Sequence, residues 1–451
     1  NCNRGTVRAS SGTLTIFDSD LTNTGGTIVA ADGAVVRFSY GMLEGGVPGV
    51  MALFAHGFRP FFLLTALHGI VVMAVWLAWL SGWMPLPDMP GGPFVWHAHE
   101  MLFGFAAASI AGFLLTALTE FTGSAALPPR PVQRLVWLWL GGRVAYLLSG
   151  SVGIAWAAAL DMGFMLSLVA HSFGPLWRAP ERRHMSFFYA LVALTGAHLG
   201  FYISLLLGHE ALPWLRLSIG LLMILVIVAL SRISMALFNE MMGKYGGLTA
   251  DYVARPPRRN LAMFTIGLSA VATFAQAGPG VSGWLACAAA AAILNLLNDW
   301  HVGRALWQRW VLIPYLLYWC MALGYGVIGV GHLSEQPWQS AGEHLLLVAA
   351  LGLAILVVMS IAGRVHAGHA LDGRLWLPAA VLLLLLAAIS RAGASLPFLP
   401  LATWGLSPLT LAAVLWIGAW LLYAAYAWRV LTGPRPDLGQ ACDERMPLPS
   451  D

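Results

Sequence analysis

A chain of 451 residues that is 59% hydrophobic and only 10% charged, with a mean hydropathy of +0.75, has more apolar surface than a soluble domain can bury, so its solvent is lipid. A formal net charge of +4 is small for this length, and the basic residues sit in short loops, which excludes a nucleic-acid-binding face. Four cysteines (Cys2, Cys287, Cys320, Cys442) show neither CxxC pairing nor CxxCH, which excludes a thiolate zinc site and covalently attached haem.

Residues 1–50 differ from the rest. The stretch SGTLTIFDSDLTNTGGTIVAADGAVVRFSYG is rich in Thr, Gly and Asp, with short alternating strands between glycine turns. It reads as one or two rungs of a β-helical protein, too few to bury a core alone. Met51 opens MALFAHGFRPFF and reads as a natural start, so residues 1–50 are expected to be an upstream-extended or fused segment, the alternative being a genuine extramembrane appendage, and no function is assigned to them.

From Phe61 onward about twelve apolar runs follow, each near the ~20 residues that a helix needs to cross ~30 Å of hydrocarbon. They lie near 61–81, 97–119, 132–150, 152–173, 186–207, 213–238, 260–277, 281–298, 311–331, 343–362, 375–392 and 407–430. The runs are too long and too unbroken for barrel strands. The expected fold is an all-α, polytopic transmembrane bundle of about 12 spans over residues 51–432, followed by a cytoplasmic tail over 433–451. Arg130, Arg178, Arg182, Arg183, Arg255, Arg258, Arg304, Arg364 and Arg374 fall in or beside the even-numbered loops. Positive-inside bias then puts both ends of the array in the cytoplasm, as an even span count requires.

Ionisable residues against lipid are costly and usually functional. In chain order, FAHGFRPFF carries His56 and Arg59 ahead of the first span, where an interfacial anchor is an equal alternative. VWHAHEMLFGF, Val95 to Phe105, opens the second span with His97, His99 and Glu100. At 100° per residue His97 and His99 point to different faces, unless the helix begins after His99. His97 and Glu100, at i and i+3, share a face, so Glu100 is expected to orient His97 while His99 reaches a neighbouring helix near His344. His68 and His198 fall mid-span and should face the bundle interior. His171, His184, His209 and His301 are expected to face solvent. GRVHAGHALDGR, Gly363 to Arg374, brings Arg364, His366 and His369. No Walker A, HExxH or GxSxG motif is present. Histidines, arginines and few carboxylates suit metal or haem ligation, with arginine handling a propionate or an oxyanion.

Three blocks, HGFRPFFLL, WHAHEMLFGFAAASIAGFLLTALTEFTG and MSIAGRVHAGHALDGR, resemble the signature blocks of the NnrS family over about Met51 to Arg429. Leu371 and Asp372 look inserted in the third block, and Phe121 stands where the family pattern has Trp. The resemblance implies an inner-membrane protein of about twelve spans, with haem b and copper, tied to nitric oxide, nitrosative stress and denitrification. It leaves the reaction open. Candidate cofactor-binding residues are His56, Arg59, His97, His99, Arg364 and His369, and candidate metal ligands are His97, His99, His344 and His369. Expected partners are the lipid bilayer, haem, copper and nitric oxide or its metal adducts. The competing reading is a transporter or exporter of a nitrogen-oxide metabolite or metal complex, with the histidines as a binding or relay site.

Overall fold

The structure, a computed structural model, describes residues 53–179, 184–245, 252–300, 303–396 and 407–433, together with six short strands nearer the N-terminus. Those strands are β1 (Thr6–Ala9), β2 (Thr13–Phe17), β3 (Leu21–Thr22), β4 (Thr27–Ala30), β5 (Val35–Ser39) and β6 (Leu43–Glu44). β1 pairs with β4, β2 with β5 and β3 with β6, all in parallel, with Thr6 opposite Thr27, Thr13 opposite Val35 and Leu21 opposite Leu43. A chain that returns beside itself every ~22 residues makes stacked rungs.

The rest is helical: α1 (Phe58–Leu80), α2 (Gly92–Thr122), α3 (Pro129–Leu147), α4 (Ile154–Arg178), α5 (Met185–Leu206), α6 (Leu212–Tyr245), α7 (Pro256–Phe274), α8 (Pro279–Leu296), α9 (Arg309–Leu333), α10 (Gln339–His366), α11 (Trp376–Gly393) and α12 (Pro408–Thr432). Ten are long and apolar enough to cross a membrane; α3 and α7 do not meet that criterion. Arg130, Arg134 and Arg143 lie in α3, and Arg258 and Arg259 in α7. Local sequence sets the ends. Prolines open α3, α7, α8 and α12, where a missing N–H costs nothing. Gly123 closes α2 with φ of 65°, a backbone state glycine tolerates best.

Helices α3 to α9 pack neighbour on neighbour in chain order, α11 packs on α12, and α12 on α1. Arg59 closes the circuit: its Nη1 donates to the carbonyls of Leu431 (3.2 Å) and Gly433 (2.7 Å) at the end of α12, groups that a helix terminus leaves without partners. Inside stand α2 and α10, whose apolar windows are 83% and 72% buried against 65% or less for the other eight. Both are interrupted by a π segment, Glu100–Ala106 in α2 and Leu345–Leu351 in α10. Each π segment follows directly on a histidine, His99 and His344. Such bulges inside helices concentrate at functional sites.

Candidate metal centre

Five helices converge about two turns below the pole of the bundle where α2 and α4 begin. From α2 come His99 and Glu100, from α3 Arg143 and Tyr146, from α4 Asp161, from α5 His198 and Tyr202, and from α1 His68. His99, Glu100, Asp161 and His198 are each at most 2% exposed, so these groups are removed from water and lipid alike.

The ligand-bearing atoms are close. His99 Nε2 lies 2.9 Å from His198 Nε2, and Asp161 Oδ2 lies 3.5 Å from the first and 3.7 Å from the second. The centre of that triangle is about 2 Å from each corner, the length of a bond from imidazole or carboxylate to a first-row metal ion. Tyr202 Oη donates to Asp161 Oδ2 at 2.5 Å and lies 3.2 Å from His99 Nε2. Among the described residues, this is the one His/Asp/Glu/Cys group of three with the spacing of a metal site.

Neighbouring groups aim the ligands. His99 Nδ1 sits 3.2 Å from Glu100 Oε1. A carboxylate accepts, so Nδ1 carries the proton and Nε2 presents its lone pair to the centre, as in carboxylate–histidine–metal triads. Arg143 bridges the two carboxylates, with Nη1 at 3.0 Å from Glu100 Oε1 and Nη2 on Asp161 Oδ1. His68 Nε2 stands 3.2 Å from Glu100 Oε2. Aromatic faces clamp both ligand rings: Phe103 stacks on His198 at 3.6 Å and Phe201 on His99 at 4.8 Å. Two glycines make the approach possible. A Cβ at Gly104 would collide with His68 Nε2, and one at Gly142 with Asp161 Oδ1. The Gly104 carbonyl, inside the π segment, accepts from Trp139 Nε1 at 3.0 Å. With neutral imidazoles, Glu100, Asp161 and Arg143 sum to one negative charge in a buried site, which favours a cation.

Read across its full length, the sequence is matched by the family model for NnrS protein over residues 52–435. The chain belongs to the NnrS family. Among curated proteins no sequence matches it.

In this NnrS chain the residues singled out from sequence fall at two poles. His97, His99 and His344 lie at the pole just described; His56, Arg59, Arg364 and His369 lie at the other, roughly 30 Å away along α2. His99 alone of them is in the triangle. The helix begins at Gly92, ahead of both histidines, so His97 and His99 do point apart, but with exchanged roles: Glu100 hydrogen-bonds His99, not His97. His97 instead stacks on Trp76. The Glu100 carboxyl turns away from His97 to His99 Nδ1, His68 Nε2 and Arg143 Nη1, two of them on neighbouring helices. His369 does not share a face with His366, because α10 ends at His366 and Gly368 turns left-handed, with φ of 77°. Arg364 Nε donates to the Ala370 carbonyl at 2.7 Å, bracing that loop. His184 is buried against Phe121 at 4.3 Å, not solvent-facing; His301 lies outside the described residues. Arg143, Asp161 and Tyr202 escaped the sequence reading. The signal was available for two of them: GGRVAY and AALDMG each put a lone charge within an apolar run.

Proposed function

We propose that the chain is a metal-binding membrane protein of nitric oxide metabolism, acting in nitrosative-stress resistance or denitrification through the centre on His99, Asp161 and His198. The observation that carries this reading is the ligand triangle itself, dry and oriented from behind by Glu100 and Arg143. Two imidazoles and one carboxylate fit copper, the metal that family resemblance brings, and the same donors serve non-haem iron. Three protein ligands leave coordination positions open for a small exogenous molecule, and bound copper would supply one-electron chemistry toward a nitrogen oxide.

The protein's own part is defined by the hydrogen bonds. Glu100 fixes the His99 tautomer. Arg143 bridges the two carboxylates and holds each in place through its own Nη. Tyr202, bonded to Asp161 and beside His99 Nε2, holds a proton at the edge of the site. The aromatic clamp keeps the two ligand rings in place and excludes water.

Haem does not fit this triangle. Two axial imidazole nitrogens on one haem iron stand about 4 Å apart, twice an iron–nitrogen bond, whereas His99 and His198 meet at 2.9 Å. An apolar cavity of about 60 Å³ between α2, α5, α6 and α10, bordered by Ala106, Phe187, Leu222 and Leu351, has no imidazole in its wall.

Metal analysis and electron paramagnetic resonance of the purified protein test the reading. Bound copper with hyperfine coupling to two imidazole nitrogens, perturbed by nitric oxide, is the expected result. A folded protein that takes up no copper or iron and leaves no signal changed by nitric oxide rejects it in favour of transport.

A further inference from the structure

The helices recur in sets of four. The membrane-crossing parts of α2, α6 and α10 begin at residues 92, 212 and 339 and, at 31, 32 and 28 residues, are the three longest of the ten. They are also the three most buried. Each is followed by a short helix, α3, α7 or α11, of 19, 19 and 18 residues. The outer helices pack in sequence around the bundle, whereas α2, α6 and α10 pack on one another at its centre. Where these three meet they leave an apolar cavity of about 60 Å³, walled by Ala106 and Ile110 of α2, Leu222 and Val226 of α6, and Leu351 and Ile355 of α10. Both π segments run out at this wall, since Ala106 and Leu351 are their last residues. Ser109 is the one polar side chain in the wall among the described residues, and its hydroxyl donates to the Ala106 carbonyl at 2.9 Å.

We propose that this central cavity is a binding site for a small, uncharged apolar gas molecule, apart from the metal centre. Size and chemistry select the guest. A buried water takes about two to four polar partners, and the wall's one hydroxyl is already engaged with its own helix. The volume is about twice the roughly 30 Å³ that one molecule occupies in liquid water. An acyl chain or an aromatic ring is too large for it, whereas a diatomic gas fits. Dry cavities lined by Leu, Ile and Phe take up xenon for the same reason. Apolar gases concentrate in hydrocarbon rather than water, so the bilayer around the bundle supplies the guest. Ala106 lies seven residues along α2 from His99, about 10 Å. The cavity therefore holds a gas beside the metal centre, while its occupancy requires no metal.

Xenon is the probe, with the full chain in phosphatidylcholine nanodiscs and its methionine methyl groups isotope-labelled for magnetic resonance. Met359 borders the cavity. Met165 and Met321 are as deeply buried but lie outside its wall, and single Met→Leu substitutions assign the three signals. Under rising xenon pressure the Met359 resonance should shift and level off, while those of Met165 and Met321 move little and in proportion to pressure. Ala354→Leu and Ala229→Leu fill the cavity from α10 and from α6. Each should remove the saturating Met359 shift at an unchanged or higher melting temperature. A Met359 shift that is absent, or proportional to pressure and no larger than at Met321, overturns the proposal, because the space is then closed or occupied by lipid. A saturating shift that survives in both filled variants, with both still folded, overturns it as well, because xenon then binds elsewhere.

Discussion

His99 and His198, 99 residues apart in the chain, bring their Nε2 atoms to 2.9 Å in a dry interior. Two ring nitrogens meet so closely by sharing one proton or by turning two lone pairs to one cation. Glu100 commits the His99 proton to Nδ1, which biases the pair toward the second state. Glu100→Gln keeps the shape but can present its amide to Nδ1, releasing that bias. It should weaken copper or zinc binding by about 10–100-fold, the usual cost of losing such a partner. Equilibrium competition against a chromophoric chelator measures it; unchanged affinity means that Glu100 serves Arg143 alone.

Gly104 and Gly142 offer a test in which the expected sign runs against intrinsic propensity. Alanine in a helix interior is normally favoured over glycine by about 1 kcal/mol. Here a methyl group would meet His68 at one position and Asp161 at the other. Gly142→Ala should lower the melting temperature and displace Asp161, reducing metal affinity. Gly196, where nothing lies within 4 Å of an added Cβ, is the control, and Gly196→Ala should be neutral or stabilising.

Much of this bundle is legible in apolar run length, because a helix that must satisfy its own backbone in lipid has few alternatives. α3 illustrates the limit. Its Arg143 lowers the apparent apolarity of the span because the charge is repaid inside, by carboxylates on α2 and α4 that no local pattern reveals. Of the HAHE motif, His99 and Glu100 fall in the buried cluster, and the two-face geometry of its histidines followed from helical periodicity. The direction of the Glu100 carboxylate could not be read that way, because His68 and Arg143 on neighbouring helices share it with His99. His198 looked like an ordinary buried imidazole until α5 was set against α2. Long-range pairing, rather than any motif, makes the centre.

Orientation in the bilayer is a separate expectation. Arginines gather at the pole that carries the α2–α3, α4–α5 and α10–α11 connections, which positive-inside bias places in the cytoplasm. The metal centre then lies about 10 Å below the opposite, periplasmic face, two turns down α2. Reporter fusions at Gly91 and Ala179 should report opposite sides, with Gly91 periplasmic. The same side from both would mean that α2, α3 or α4 does not cross.

Asp372, in the connection between α10 and α11, tests the other pole. The Arg374 guanidinium, foremost, holds its carboxyl below the usual range, with Nε at 2.9 Å and Nη2 at 2.6 Å. Trp376 Nε1 adds a bond at 2.9 Å. A depressed carboxylate contributes stability that is present above its unfolded pKa of about 3.9 and lost as pH falls further. Asp372→Asn should therefore melt lower than the parent at pH 7, with the gap narrowing below about pH 4. A gap independent of pH would assign the effect to shape rather than charge.

Arg143 is the sharpest point of failure. It bridges Glu100 and Asp161 while only 8% exposed, so its removal leaves two buried carboxylates facing each other. Breaking a buried ion pair from one side costs about 3–5 kcal/mol. Arg143→Met should lower stability by that order, read as a fall in melting temperature. Arg143→Lys restores the charge but cannot span both acids with a planar fork, so it should recover stability in part and metal affinity less. A bound divalent cation adds positive charge beside the same two acids. Zinc should accordingly raise the melting temperature of Arg143→Met by more than that of the parent, at matched occupancy. If zinc stabilises the two proteins equally, the carboxylates and the metal are not electrostatically coupled, and Asp161 is not a ligand.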